Sequence, residues 1–479
     1  MRNTKKILAG VCALLFCMSA AACGDSSSTS GGSKDGTTTT TSVSYVTLNE
    51  SAQQAVSEAT SDLEKKELAN KELKFLSHWD INPAEGSTIG ADIQMFKDVY
   101  GGYFTYMSST WDTRYTDLAT AVMSSDAPDF FSAMDMDGFP KGALRAMFQP
   151  IDDYIDLNSE LWAPAKTVND NFVYKGKHYV AAIQAQPDIV VIYNTKTIAD
   201  NQLEDPADLY YKGEWTFDKF AKMCNDFTDA ENEIYGLDGW WYAQTLGHMA
   251  GKAMISMENG EIKNNLDDPD IAKVQEALYE QLGKNNVMYD LAANGWSIRG
   301  GVTGQGCGSG ETLFYPCGLW GIEGLPEAVS AFGDVEADEI MFVPIPKFTA
   351  DSKHYMTARD DGYFLCKGAP NPEGWAAFMN CRMTAKNKLA EVDRQNHIDS
   401  FKWNEDMLNM RDECFKVVNE NPVFNFTNGV SDDLASAMGN ITQGTLLTGG
   451  GARSWTEIVN ENKDTIDFWI EDANESLKT

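Results

Sequence analysis

Aromatic residues beside polar ones recur along this chain at the ends of apolar runs. Trp79-Asp80 follows Leu73-Lys74-Phe75-Leu76, Trp111-Asp112 follows the run from Tyr103 to Met107, and Asp135 follows Asp129-Phe130-Phe131. Further on stand Trp240 and Trp241 in Gly239-Trp240-Trp241-Tyr242, and Trp296 ahead of a loop with six glycines between Gly300 and Gly310. Trp320 lies in Gly318-Leu319-Trp320-Gly321, and Arg359 opens Arg359-Asp360-Asp361. An indole face stacks on the C–H face of a hydroxylated ring, while carboxylates and guanidinium groups pair with its hydroxyls. That chemistry holds a solute and breaks no bond. Each residue also has a plainer reading. Trp79 can pack beneath its loop, Trp111 can open a helix, Asp135 can cap one, Trp240 and Trp241 can be core, and Arg359 can sit in a surface ion pair.

A catalytic or metal-binding set is not evident. The five histidines, His78, His178, His248, His354 and His397, have no metal-ligand spacing. The run Asp229-Ala230-Glu231-Asn232-Glu233 lacks the glycine and closing glutamate of a calcium loop and reads as a solvated turn. No cofactor and no metal are expected.

The elements that must place these residues alternate. Short apolar strands at 73–76, 103–107 and 129–131 are separated by helical patterns near 90–100 and 111–125, which argues for parallel βα units. Ile189-Val190-Val191-Ile192-Tyr193 is continuous and β-branched, as a central strand is. Helices are expected from Thr216 as cap, over 270–284 and 373–383, and from the capping box Ser454 to Glu457. Ile340–Val343 and Gly362–Cys366 read as further strands. Ligands in open α/β sheets bind beyond the carboxyl ends of the strands, which is where Trp79, Trp111 and Asp135 fall.

The 479 residues suffice for two or three cores, and the net charge of −33 repels nucleic acid. Arg2, Lys5 and Lys6 precede an apolar stretch from Ile7 to Met18, too short to span a bilayer. Residues 1–22 therefore read as a signal peptide. Its end, Ala20-Ala21-Ala22-Cys23, resembles the lipobox of bacterial lipoproteins, with Ala20 where leucine is usual; the resemblance implies that Cys23 is lipidated. The mature protein would be anchored to the cell membrane by lipid alone, on its extracytoplasmic face. Residues 23–44 form a Ser/Thr/Gly-rich linker reaching on the order of 25 Å. Residues 45–72 read as a charged helix, either a stalk or a segment packed on the first lobe. Cys307 and Cys317 flank the Gly-rich loop, as a disulfide or as buried thiols.

The order of segments resembles the extracellular solute-binding proteins of carbohydrate ABC importers, family 1, maltose-binding-protein-like. Ser125-Asp126-Ala127-Pro128-Asp129 is similar to that family's step into its third strand, and Phe148-Gln149-Pro150-Ile151-Asp152-Asp153-Tyr154-Ile155 to the stretch after it. Tyr174-Lys175-Gly176-Lys177-His178-Tyr179, Val191-Ile192-Tyr193-Asn194 and Glu214-Trp215-Thr216-Phe217-Asp218 continue the match. Val343-Pro344-Ile345-Pro346-Lys347 and Lys367–Glu373 complete it. The resemblance implies an α/β, two-lobed, periplasmic-binding-protein-like fold of type II with crossing hinge strands. Lobe 1 would comprise 73–188 plus 341–392, and lobe 2 194–340 plus 393–479. It also implies a carbohydrate ligand, an oligosaccharide, in the cleft between the lobes, and the importer's permease subunits as partners. A monomer without enzymatic activity is expected. The competing readings are a binding protein for a peptide or anionic solute, and a secreted glycoside hydrolase, which needs two carboxylates about 5–10 Å apart.

Overall fold

In the computed structural model the described residues are 46–478, apart from 85, 259, 292, 296, 302–303, 324–330 and 448–450. The signal peptide, Cys23, the linker and Trp296 therefore lie outside the described residues.

Two sheets organise the chain. In the first, Glu72–Ser77 lies one in from the edge and pairs in parallel with the edge strand Tyr103–Ser108 and with Phe130–Ser132. Met356–Leu365 joins antiparallel to Phe130–Ser132 and to Val180–Pro187, and parallel to Pro422–Phe424. The second sheet runs Ile340–Val343, Val190–Asn194, Thr312–Cys317, Tyr235–Leu237. Its central strands are buried along their whole length, as their unbroken apolar sequence requires.

Helices close each sheet. Ala91–Tyr100, Arg114–Met123 and Pro372–Lys388 cover the first, and Phe217–Phe227, Pro269–Gln281 and Glu405–Glu420 accompany the second. The capping box forms as expected: the Ser454 amide donates to Glu457 at 3.2 Å and the Glu457 amide to Ser454 Oγ at 3.4 Å. Thr216 does not cap with its side chain among the described residues; instead the Phe217 amide donates to Lys347 O at 2.7 Å, so strand-like pairing takes the cap's place.

One core gathers Phe75, Phe130, Tyr363 and Trp375, and a second gathers Tyr193, Trp215, Phe314 and Trp403. Residues 255–271 and 426–477 bury side chains with the first core, where Phe426 meets Phe139 and Phe172 at ring-centre distances of 6.5 and 6.0 Å. The chain crosses between the sheets at 187–190, between Val343 and Met356, and between Glu420 and Pro422.

The expected helix over 45–72 is shorter. It spans Glu50–Ala59 with a 3-10 turn at Thr60–Asp62. The hydroxyls of Thr60 and Ser61 donate back to Ser57 O and Glu58 O, both at 2.7 Å, where the helix stops. Leu48, Val56, Leu63 and Leu68 are buried in the first core, so the segment packs on the first lobe and is no stalk. The six described cysteines are free and buried. Cys307 Sγ faces Ile192 O at 3.9 Å, whereas Cys317 pairs with Val190 further along that strand, so no bridge forms between them.

Candidate ligand cleft

Strand register decides what faces what. Tyr363 pairs with Ser132 and Arg359 with Gln186, which puts Arg359 beyond the carboxyl end of Phe130–Ser132. In the second sheet Val190 pairs with Cys317, so the short link 187–190 joins the carboxyl-end edges of both parallel sets. The two edges face each other across that link. Beside that link opens a cleft of about 620 Å³, with Gln184, Gln186 and Arg359 on the hinge strands Val180–Pro187 and Met356–Leu365, Met134 on the first lobe, Trp320 and Glu323 on the second, and a helical wall that includes Arg382, Glu391, Arg394, His397 and Arg411; Trp111, Asp135, Trp240 and Trp241 do not line it.

Outside that lining, beyond the carboxyl ends of the first-lobe strands, stands a tight cluster. Trp111 sits in the turn ahead of Arg114–Met123, not inside the helix, and is 37% exposed. The Arg114 guanidinium carbon lies 3.7 Å from the centre of its ring, and the His78 ring meets it edge-on at 5.0 Å. Arg114 pairs with Asp137, and its Nε is 4.0 Å from Asp135 Oδ2. Burial pushes Asp135 up and Asp137 up to about 6, while Arg114 pulls both down. Among the described residues, His78 Nδ1 and Arg114 Nε are buried without a hydrogen-bond partner.

Three indoles gather on the second lobe, and of these Trp320 lines the cleft. Trp240 and Trp241 follow strand Tyr235–Leu237, and Trp320 follows its parallel neighbour Thr312–Cys317. Trp241 meets Trp240 at 5.4 Å and Trp320 at 5.7 Å, both nearly perpendicular, and Trp320 stays 44% exposed. The turn before them is fixed by buried Asp238, which accepts from the Gly239 and Arg299 amides at 2.7 and 2.8 Å. Gly239 has φ +116°, and a Cβ there would lie 3.2 Å from Tyr315 Cε2, so only glycine fits.

Arg359 stands between the lobes. It makes no ion pair within 4.0 Å among the described residues, and its Nε is buried without a partner. Four carboxylates feel it: Asp135 of the first lobe, Asp188 of the crossing link, Glu323 of the second lobe and the adjacent Asp360. Burial raises the pKa of each, and Arg359 counters it.

The structure thus brings together Trp111 with Asp135, Trp240 with Trp241 and Trp320, and sets Arg359 among carboxylates of both lobes. Trp79 is half-buried and packs edge-on against Phe75 at 4.9 Å. Asp80 is exposed and accepts from the amide and side chain of Asn82, both at 2.9 Å, which closes a local turn. Sequence reasoning missed Asp137, Asp188 and Glu323. Asp137 had a usable signal, two residues after Asp135 beyond the same strand; Glu323 had none, since its place depends on how the lobes meet.

The sequence profile of the bacterial extracellular solute-binding proteins matches residues 82–388. The chain belongs to that family. No curated protein sequence matches it. Among solved structures, it is similar to an ABC substrate-binding protein from Listeria monocytogenes in complex with cycloalternan, at 15% identity and TM-score 0.58, over 83% of this chain and 98% of that one. It is similar to the cyclic α-maltosyl-1,6-maltose binding protein from Arthrobacter globiformis, at 12% identity and TM-score 0.57, over 84% and 99%. A third is the galacto-N-biose/lacto-N-biose I-binding protein from Bifidobacterium longum in complex with lacto-N-biose, at 11% identity and TM-score 0.55, over 86% and 99%. At these identities the likeness establishes the fold, and this solute-binding protein is two-lobed, of type II. No helix among its described residues is long and apolar enough to cross a membrane.

Proposed function

We propose that this solute-binding protein captures an oligosaccharide between its lobes and delivers it to the permease subunits of an ABC importer. The observation that carries the reading is the half-exposed indole of Trp320 in the lining of the cleft, with Gln184, Gln186 and Arg359 beside it. Flat apolar faces with a few convergent polar groups suit a neutral, hydroxylated ring. A cleft of about 620 Å³ has room for more than one sugar ring. The family supports the solute-binding role, and relatives of the same fold carry cycloalternan, lacto-N-biose and mannotriose. An anionic solute is disfavoured, because the cations lining the cleft, Arg359, Arg382, Lys386, Arg394 and Arg411, are matched there by Asp92, Glu323, Asp361, Glu391, Asp393 and Asp412.

In this reading Trp111, Asp135, Trp240, Trp241, Trp320 and Arg359 contact ligand, residues 1–22 are removed, and lipid on Cys23 tethers a monomer outside the membrane. The protein binds without cleaving. A thermal-shift screen across oligosaccharides, amino acids and peptides tests this, since a ligand specific to the native state raises the melting temperature. Stabilisation by peptides alone would overturn the ligand class. Shortened oligosaccharides after prolonged incubation would overturn the absence of catalysis.

A further inference from the structure

We infer that Arg114 is a positioning residue, which holds the indole of Trp111 as a fixed stacking face beyond the carboxyl end of the first-lobe strand Tyr103–Ser108. The inference rests on the reading of the interlobe cleft as a carbohydrate site. Arg114 opens the helix Arg114–Met123. A cation there opposes the helix dipole, so something else must keep it in place. What keeps it is a closed set of contacts. One terminal nitrogen donates to the carbonyl of Trp111 itself, and the other donates to the Asp137 carboxylate. Asp137 is in turn fixed by the Tyr115 hydroxyl, which donates to it at 2.5 Å. The guanidinium side chain is only 6% exposed and lies over both the Trp111 ring, at 3.7 Å, and the Tyr115 ring, at 5.0 Å.

One planar group therefore grips Trp111 twice, by its backbone carbonyl and by its ring. The His78 ring, edge-on at 85°, limits movement on another side. An indole that is 37% exposed in a turn would otherwise exchange rotamers and lose that freedom on binding. Lysine cannot reproduce the grip, because a point charge lacks the flat fork that stacks and donates in two directions at once.

The test uses protein labelled with 5-fluorotryptophan, with the Trp111 resonance in ¹⁹F spectra assigned by Trp111→Phe. Arg114→Met is expected to shift and broaden that resonance while the other indole signals stay in place. Arg114→Lys should give an intermediate shift. Asp137→Asn, which frees the guanidinium but leaves it present, should move the resonance in the same direction, and serves if Arg114→Met does not fold. Affinity is then measured for maltotetraose, mannotriose and lacto-N-biose. A weakening of about tenfold in Arg114→Met, for whichever probe the wild type binds, supports the inference. An unmoved Trp111 resonance overturns it, and so does a moved resonance with unchanged affinity. If the wild type binds none of the three, a moved resonance still supports the grip, and it is the carbohydrate reading that fails.

Discussion

Arg382 donates to Asp361 Oδ1 at 2.6 Å in the lining of the cleft, and the same guanidinium reaches Asp92 at 3.3 Å. The pair ties the helix Pro372–Lys388 to the hinge strand Met356–Leu365, and the Arg382 guanidinium carbon lies 4.7 Å from the centre of the Tyr363 ring. Burial works against the Asp361 anion, but Arg382 and the Gln184 amide outweigh it and hold its pKa below the usual carboxylate range. Removing one partner leaves a buried charge uncompensated. Arg382→Met should cost about 3–5 kcal/mol in urea unfolding at neutral pH. A loss below about 1 kcal/mol would show that the pair does not carry the hinge strand.

The adjacent carboxyl behaves in the opposite sense. Burial, with Asp361 alongside, pushes Asp360 up to about 8. A carboxyl with a raised folded pKa favours folding while protonated. Its contribution is complete below the unfolded value near 4 and is lost as pH rises through about 8. Asp360→Asn should therefore gain in melting temperature over the wild type as pH increases from 4 to 8. A difference that does not change with pH would refute this.

Two tryptophans should separate stability from binding. Trp79 packs on Phe75, so Trp79→Ala should lower unfolding stability by roughly 1–3 kcal/mol. Trp320 is 44% exposed at the cleft, so Trp320→Ala should leave stability nearly unchanged and weaken oligosaccharide affinity at least about tenfold. Calorimetric titration beside chemical unfolding reads both, and the reverse pattern would exchange the two roles.

Gly239→Ala places a side chain at φ +116° and against Tyr315. The expected cost is about 1–3 kcal/mol, with a changed near-ultraviolet dichroism from the displaced Trp240 and Trp241. An unaltered spectrum would mean that the turn does not set the indoles.

Thiol chemistry checks the cysteine assignment. In a Cys23→Ser form lacking residues 1–22, six thiols remain, and all are buried and free. Burial raises Cys307 to about 12, which removes the reactive thiolate at neutral pH. A thiol reagent should label none of the six in the native protein and all six in denaturant. Only four labelled in denaturant would reveal a disulfide.

Much was readable before folding. The strands near 190 and 340 stand out because a strand buried on both faces must be apolar without interruption, and those near 73, 103 and 129 because short apolar runs alternate with helical patterns. The ordered motifs from Ser125 to Glu373 point to two lobes, since each marks a turn or strand end whose local chemistry is fixed by neighbours in the chain. Packing settled the rest. Trp79 and Trp111 both follow strands, yet the first rests against Phe75 and the second beneath Arg114, because side-chain direction depends on the turn and on residues distant in the chain. Trp241 and Trp320 are joined only because their strands are parallel neighbours. Arg359 acts on the charges of Asp135, Asp188 and Glu323 only through strand register and the approach of the lobes, long-range geometry that no local pattern encodes.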